Sequence, residues 1–196
     1  MQKGYSIKEG VIIINRELTE LDKFVRDFLD ILKKHSDYLV VSGYVSISSG
    51  RTRATEDVDI LVPIPTKEKF STLLKDLQKN KFWCYQGDTA EEIYPYLLNH
   101  ESIRFARENE IYPNIEFVPI DETRKLKWFE FQHPQKVRVQ GFEFKIPPVE
   151  FEILYKEIIL AGDKDKKDAL HLRTFFADIL DENKFKEYNS LILNLK

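Results

Sequence analysis

The sequence predicts an α/β (α+β) fold: a mixed sheet flanked by helices, with a helical C-terminal region. Three observations carry that reading. Short apolar runs of strand length recur through the first part of the chain, as in Val11–Ile14, Ile60-Leu61-Val62 and Ile115–Val118. Between them lie longer stretches whose apolar residues repeat at helical spacing. Beyond Pro147-Pro148 the strand-like runs stop and everything reads as helix. The expected organisation is a core over residues 1–147 and a helical region over 148–196 that packs back on it.

In chain order, residues 5–15 hold Val11-Ile12-Ile13-Ile14 after Gly10, and read as an edge strand or a hairpin. Residues 18–35 read as an amphipathic helix through Leu21, Phe24, Val25, Phe28, Leu29 and Leu32, with Thr19 as its cap. Residues 38–42 are a strand, 44–49 a short helix, 50–56 a loop and 57–62 a second strand that Pro63 and Pro65 end. Thr66 caps a helix over 66–80 with the stripe Phe70, Leu73, Leu74 and Leu77. A strand at 82–85, a helix over 89–98 interrupted by Pro95, and strands at 102–106 and 114–119 follow. Residues 136–146 form a hairpin around Gln140-Gly141. Three helices, 149–161, 164–179 and 183–193, complete the chain.

At 196 residues the chain suits one domain, or one domain with a helical extension. A net charge of −3 argues against a strongly basic nucleic-acid binder, although a local patch remains compatible with it. The single cysteine, Cys84, excludes an internal disulfide and fits a reducing compartment. No basic-then-apolar targeting segment and no bilayer-length apolar run is present, so the expected location is cytoplasmic, away from membranes.

The chain is organised around residues 40–63. Val40-Val41 runs into the small pair Ser42-Gly43, and Glu56-Asp57-Val58-Asp59 opens the next apolar run. In a strand, residues i and i+2 share a face, so Asp57 and Asp59 project together. Two carboxylates that close repel unless a positive charge joins them. All-oxygen ligands favour magnesium or manganese. Paired aspartates at a strand edge are often plain solvated turn residues. Here Asp59 leads directly into Ile60-Leu61-Val62, which places the carboxylates where a strand leaves the core. Gly43 would let backbone approach a phosphate, and Arg51 and Arg53 would supply positive charge.

Ser42-Gly43, residues 44–56, then Asp57-Val58-Asp59 resembles the signature of the nucleotidyltransferase superfamily. The variant Gly-Tyr-Val-Ser-Ile-Ser-Ser-Gly-Arg-Thr-Arg-Ala-Thr-Glu-Asp-Val-Asp resembles the AbiEii-like branch of minimal nucleotidyltransferases, several of which are toxins of toxin–antitoxin or abortive-infection systems. Ser42 stands where that family usually has a first glycine. The resemblance implies a third carboxylate on a later strand, assigned to Glu116, with Glu101 as competitor. It also implies that Ser42, Gly43, Arg51 and Arg53 face the nucleotide, that Lys156 contacts the triphosphate with Lys166 or Lys167 assisting, and that Asp168 orients the lysine or acts as a base. On composition alone the charged run around residues 164–168 would be a solvated face.

The implied chemistry is two-metal phosphoryl transfer with Mg2+ or Mn2+, from a nucleoside triphosphate to an acceptor hydroxyl of a transfer RNA, a protein or a small molecule. An antitoxin would be a further partner. A catalytically inactive member that binds a nucleotide or a partner is the alternative. The four histidines lack metal-ligand spacing. Trp83, Tyr85, Tyr94, Tyr96, Trp128, Phe129 and Phe131 read as packing residues rather than a base-stacking set.

Overall fold

A computed structural model describes residues 4–195; the outermost residues of the two expected regions, 1–3 and 196, lie outside it. Among the described residues two mixed sheets are flanked by eight α-helices. The first sheet has five strands: β3 (Leu39–Val40), β4 (Asp57–Pro63), β7 (Asn114–Ile120), β6 (Ile103–Arg107) and β5 (Phe82–Cys84), in that spatial order. β4 and β7 run parallel at its centre, and the other pairs are antiparallel.

The second sheet orders β1 (Tyr5–Lys8), β2 (Val11–Ile14), β8 (Gln135–Val139) and β9 (Phe142–Ile146). The N-terminal run is therefore a hairpin, and β2 pairs in parallel with β8. That long-range pairing was not read from the sequence, where one small sheet was expected. Neither hairpin buries both faces alone, and alternation along β8 and β9 does not name the partner strand.

Side-chain alternation divides the five-stranded sheet into two faces. Val58, Ile60, Val62, Ile115 and Phe117 point into the main core with α1 (Glu20–Leu32), α3 (Lys67–Lys79) and α4 (Ala90–Leu98). Thr19 and Thr89 close capping boxes and Thr66 caps α3, so each helix starts where its side chain satisfies an otherwise orphaned N–H. Pro95 sits inside α4 without ending it.

The opposite face carries Leu39, Val41, Leu61, Val118 and Ile120. It is covered by Trp128 and Phe131 of α5 (Lys125–Gln132), a helix absent from the sequence reading. Helices therefore lie on both sides of this sheet. Asp57, Asp59 and Glu116 share the α5-covered face with Leu61 and Val118, two or four residues earlier along the strands.

The C-terminal region packs on this scaffold through α6 (Val149–Leu154), α7 (Asp163–Phe175) and α8 (Glu182–Leu195). α6 passes into a π-helical turn over Tyr155–Leu160, which ends at Ala161 in the left-handed region (φ 53°). Such turns are recurrent at functional sites. The expected helix over 149–161 is thus real but not uniformly α.

Candidate active site

The parallel register of β4 and β7 sets Asp59 directly beside Glu116 and Asp57 beside Asn114. Backbone pairing alone therefore brings three carboxylates to one face, and their oxygens lie within 4.8 Å of one another. Glu101, the competing acid, is exposed ahead of β6 and outside this cluster. Burial, then the neighbouring Glu116 and Asp57 carboxylates, push Asp59 up to about 6, against a hydrogen bond from Ser42 and the charge of Lys127. Like charges at that spacing lack full compensation from the protein, and an all-oxygen donor set suits a hard divalent cation. The residues present therefore fit such a metal.

Arg104 of β6 lies in register with Glu116 and donates from Nη2 to its Oε2 at 3.0 Å. Arginine at 104 was not singled out from the sequence. Alternation on β6 marks Arg104 as the polar member opposite Phe105, but its partner becomes visible only once β6 is paired with β7.

Ser42 joins β3 to α2 (Gly43–Ser48) in an unusual backbone conformation, φ 62° and ψ −130°. A glycine would adopt it freely, whereas a serine is strained there. The departure at this position thus has a structural cost. At Gly43, a Cβ would lie 2.5 Å from the Arg53 guanidinium, so the glycine makes room for a side chain of the following loop.

Behind that turn lies a buried ionic cluster. Asp168 accepts from Arg53 at 2.5 Å and forms an ion pair with Arg51 at 2.7 Å, and Lys156 sits 3.3 Å from the same carboxylate. Lys156 Nζ also lies 3.1 Å from Glu152, and the Glu152 carboxylate accepts from the Ser42 backbone N–H. Lys156 and Asp168 have no exposed surface and Glu152 has 1%. The structure thus brings Arg51, Arg53, Lys156 and Asp168 together, with Glu152 added. Lys166 and Lys167 are exposed on α7. His171 of α7 meets Ser49 at 3.0 Å, a second tie between this helix and the end of α2.

A cavity of about 190 Å³ adjoins the triad. Its lining includes Ser42, Asp59 and Glu116, together with Arg124, Lys127 and Glu130 of the α5 region and with Glu152 and Tyr155. The sequence reading missed the α5 contribution, because apolar and charged residues follow no helical stripe over Lys125–Gln132. The aromatic set is mostly half-buried: Trp83 stacks on Tyr85 at 4.7 Å and Trp128 on Phe131 at 5.6 Å.

No protein-family model and no curated protein matches the sequence. Among solved structures, the chain is similar to the crystal structure of an antigenic nucleotidyltransferase-like protein from Paracoccidioides brasiliensis. The TM-score is 0.55 at 15% identity, over 92% of this chain and 89% of that one. The fold is nucleotidyltransferase-like. The likeness extends well beyond the β4–β7 core, over 92% of this chain. No helix among the described residues is long and apolar enough to cross a membrane.

Proposed function

We propose that the protein is a metal-dependent nucleotidyltransferase, moving a nucleoside monophosphate from a nucleoside triphosphate to an acceptor hydroxyl. The observation that carries this reading is the convergence of Asp57, Asp59 and Glu116 from two register-paired strands, beside a cavity that Asp59 and Glu116 line. The nucleotidyltransferase-like fold is consistent with it. Magnesium or manganese, held by the three carboxylates, would supply charge neutralisation at the reacting phosphate and a more acidic acceptor hydroxyl.

The chain's own residues bind and orient. Lys127 and Arg124, both lining the cavity, offer cationic donors to phosphate oxygens. Ser42 holds Asp59 through its hydroxyl and is itself held by Glu152 through its N–H. In this reading Lys156, Arg51, Arg53 and Asp168 are positioning residues that brace the Ser42 turn from behind. Asp59, raised to about 6, is ionised near neutrality and ready to ligate. The acceptor is proposed as RNA, protein or a small molecule, and a cytoplasmic toxin with a cognate antitoxin as the biological setting. That setting rests on the resemblance of residues 40–62 and, less closely, of 148–173.

Each α-labelled nucleoside triphosphate, incubated with cell extract with and without Mg2+, tests the reading. Metal-dependent label on a macromolecule or small acceptor, with pyrophosphate released, is expected. Its loss in Asp57→Asn is expected too. Triphosphate binding without transfer to any acceptor would favour the inactive alternative.

A further inference from the structure

Among the described residues, Arg104 is the one cation that forms an ion pair with a carboxylate of the triad. Its backbone is fixed on both sides. The Arg104 N–H donates to Gln86 Oε1 at 2.9 Å, and the Arg104 carbonyl accepts from the Tyr85 N–H at 2.9 Å. The side chain is held far less firmly. It is 46% exposed, and among the described residues its guanidinium donates only to Glu116, itself 21% exposed. That contact uses one Nη of a planar fork and leaves the other donors to solvent. An ion pair this exposed is worth little net. The arginines and the lysine behind the Ser42 turn differ, because Arg51, Arg53 and Lys156 are tied to Asp168 or Glu152 in buried contacts. Arg104 thus has a fixed origin and an exchangeable partner.

Glu116 is wanted by two partners. Its oxygens share a space within 4.8 Å with those of Asp57 and Asp59, the spacing that suits a divalent cation. Glu116 gains more from such a cation than from a solvent-exposed guanidinium, and Arg104 is then repelled by the same positive charge. A triphosphate brings negative oxygens to this place, and an arginine fork matches two of them at once. Lys127 and Arg124 reach the site from the α5 region, whereas Arg104 comes from β6, beside β7.

We infer that Arg104 is a movable cation of the site. It holds Glu116 in the contact seen here, gives the carboxylate up when Glu116 ligates Mg2+ or Mn2+, and turns its fork to a phosphate of the triphosphate. This inference rests on the nucleotidyltransferase reading and adds a phosphate-binding residue to it.

Two titrations of the full chain test it: Mn2+ alone, followed by electron paramagnetic resonance, and tripolyphosphate in excess Mn2+, followed by calorimetry. Arg104→Met should bind Mn2+ about two- to fivefold tighter than wild type at low ionic strength, with the gap closing in high salt. The same variant should bind tripolyphosphate about tenfold more weakly. Arg104→Lys keeps the charge without the fork, so its Mn2+ affinity should stay near wild type and its tripolyphosphate affinity should fall between the other two. Arg104→Gln replaces the methionine variant if the latter loses its thermal transition. Weaker Mn2+ binding in the methionine or glutamine variant would make Arg104 a fixed orienter of Glu116 and overturn the inference. Unchanged affinity for either ligand overturns it as well. If wild type binds neither Mn2+ nor tripolyphosphate, the nucleotidyltransferase reading fails and this inference fails with it.

Discussion

Lys156 offers the sharpest test, because its sequence role and its structural environment point to different outcomes. Lys156→Met removes the buried ammonium and keeps most of the side-chain volume. Asp168 then retains Arg51 and Arg53, whereas Glu152 keeps only the Ser42 N–H among the contacts described. Removing one partner of a buried pair costs about 3–5 kcal/mol, since the other is left uncompensated. For a chain of this size each kcal/mol moves Tm by about 2–4 °C, so a fall of about 6–20 °C is expected. Burial already holds the Glu152 carboxyl above the ordinary glutamate range. Losing Lys156 raises it further. A folded pKa above the unfolded one gives stability that is present at low pH and lost as pH rises through the folded value. The penalty of Lys156→Met should therefore grow from acidic to alkaline pH.

Thermal melts of Lys156→Met, Glu152→Gln and the double variant across that range check this. The double variant should recover most of the loss, because no charge is then stranded. A single-variant loss below about 1 kcal/mol, with nucleotide affinity nonetheless down tenfold or more, would refute the bracing role. Lys156 would then belong at the triphosphate, as the sequence pattern implies.

The remaining expectations concern the triad and its turn. Asp59→Asn removes a carboxyl raised to about 6 from an ordinary value near 3.8, so the metal-free protein should gain about 2–3 kcal/mol above pH 7 and almost nothing below pH 4. Melts in chelator at both pH values show whether the sign holds. Mn2+ affinity of the wild type should fall as pH drops through about 6, with proton release measurable by calorimetry in buffers of different ionisation enthalpy. Ser42→Gly and Ser42→Ala both lose the hydroxyl bond to Asp59, but only the glycine relieves a strained backbone worth about 1–3 kcal/mol, so it should melt above the alanine variant. A lower Tm for the glycine variant than for the alanine one counts against the strain argument.

The three candidate carboxylates were legible because each rests on a local rule. Period-two alternation aims Asp57 and Asp59 to one side, and an acid inside the apolar run Ile115–Val118 asks for a reason. The pairing of β4 with β7 turned two local readings into one geometry. The cavity behind them was not legible, and the reason lies in α5. Lys125–Gln132 carries Leu126, Trp128, Phe129 and Phe131 around its circumference, because α5 touches several neighbours at once. Trp128 and Phe131 meet the sheet, while Phe129 meets Phe151 and Tyr188 of the helical region. A helix wedged between layers has no single apolar stripe, so periodicity cannot find it. Its polar residues, Lys127 and Glu130, therefore look like ordinary surface charge in the sequence. The buried cluster was hidden for a related reason. Arg51 and Arg53 read as phosphate ligands because positive charge near a phosphate turn has that meaning locally. Their actual partner, Asp168, lies more than a hundred residues away, and its burial depends on α7 packing against α2. The sequence singles out charges near one turn, and only the packing shows which of them answer one another.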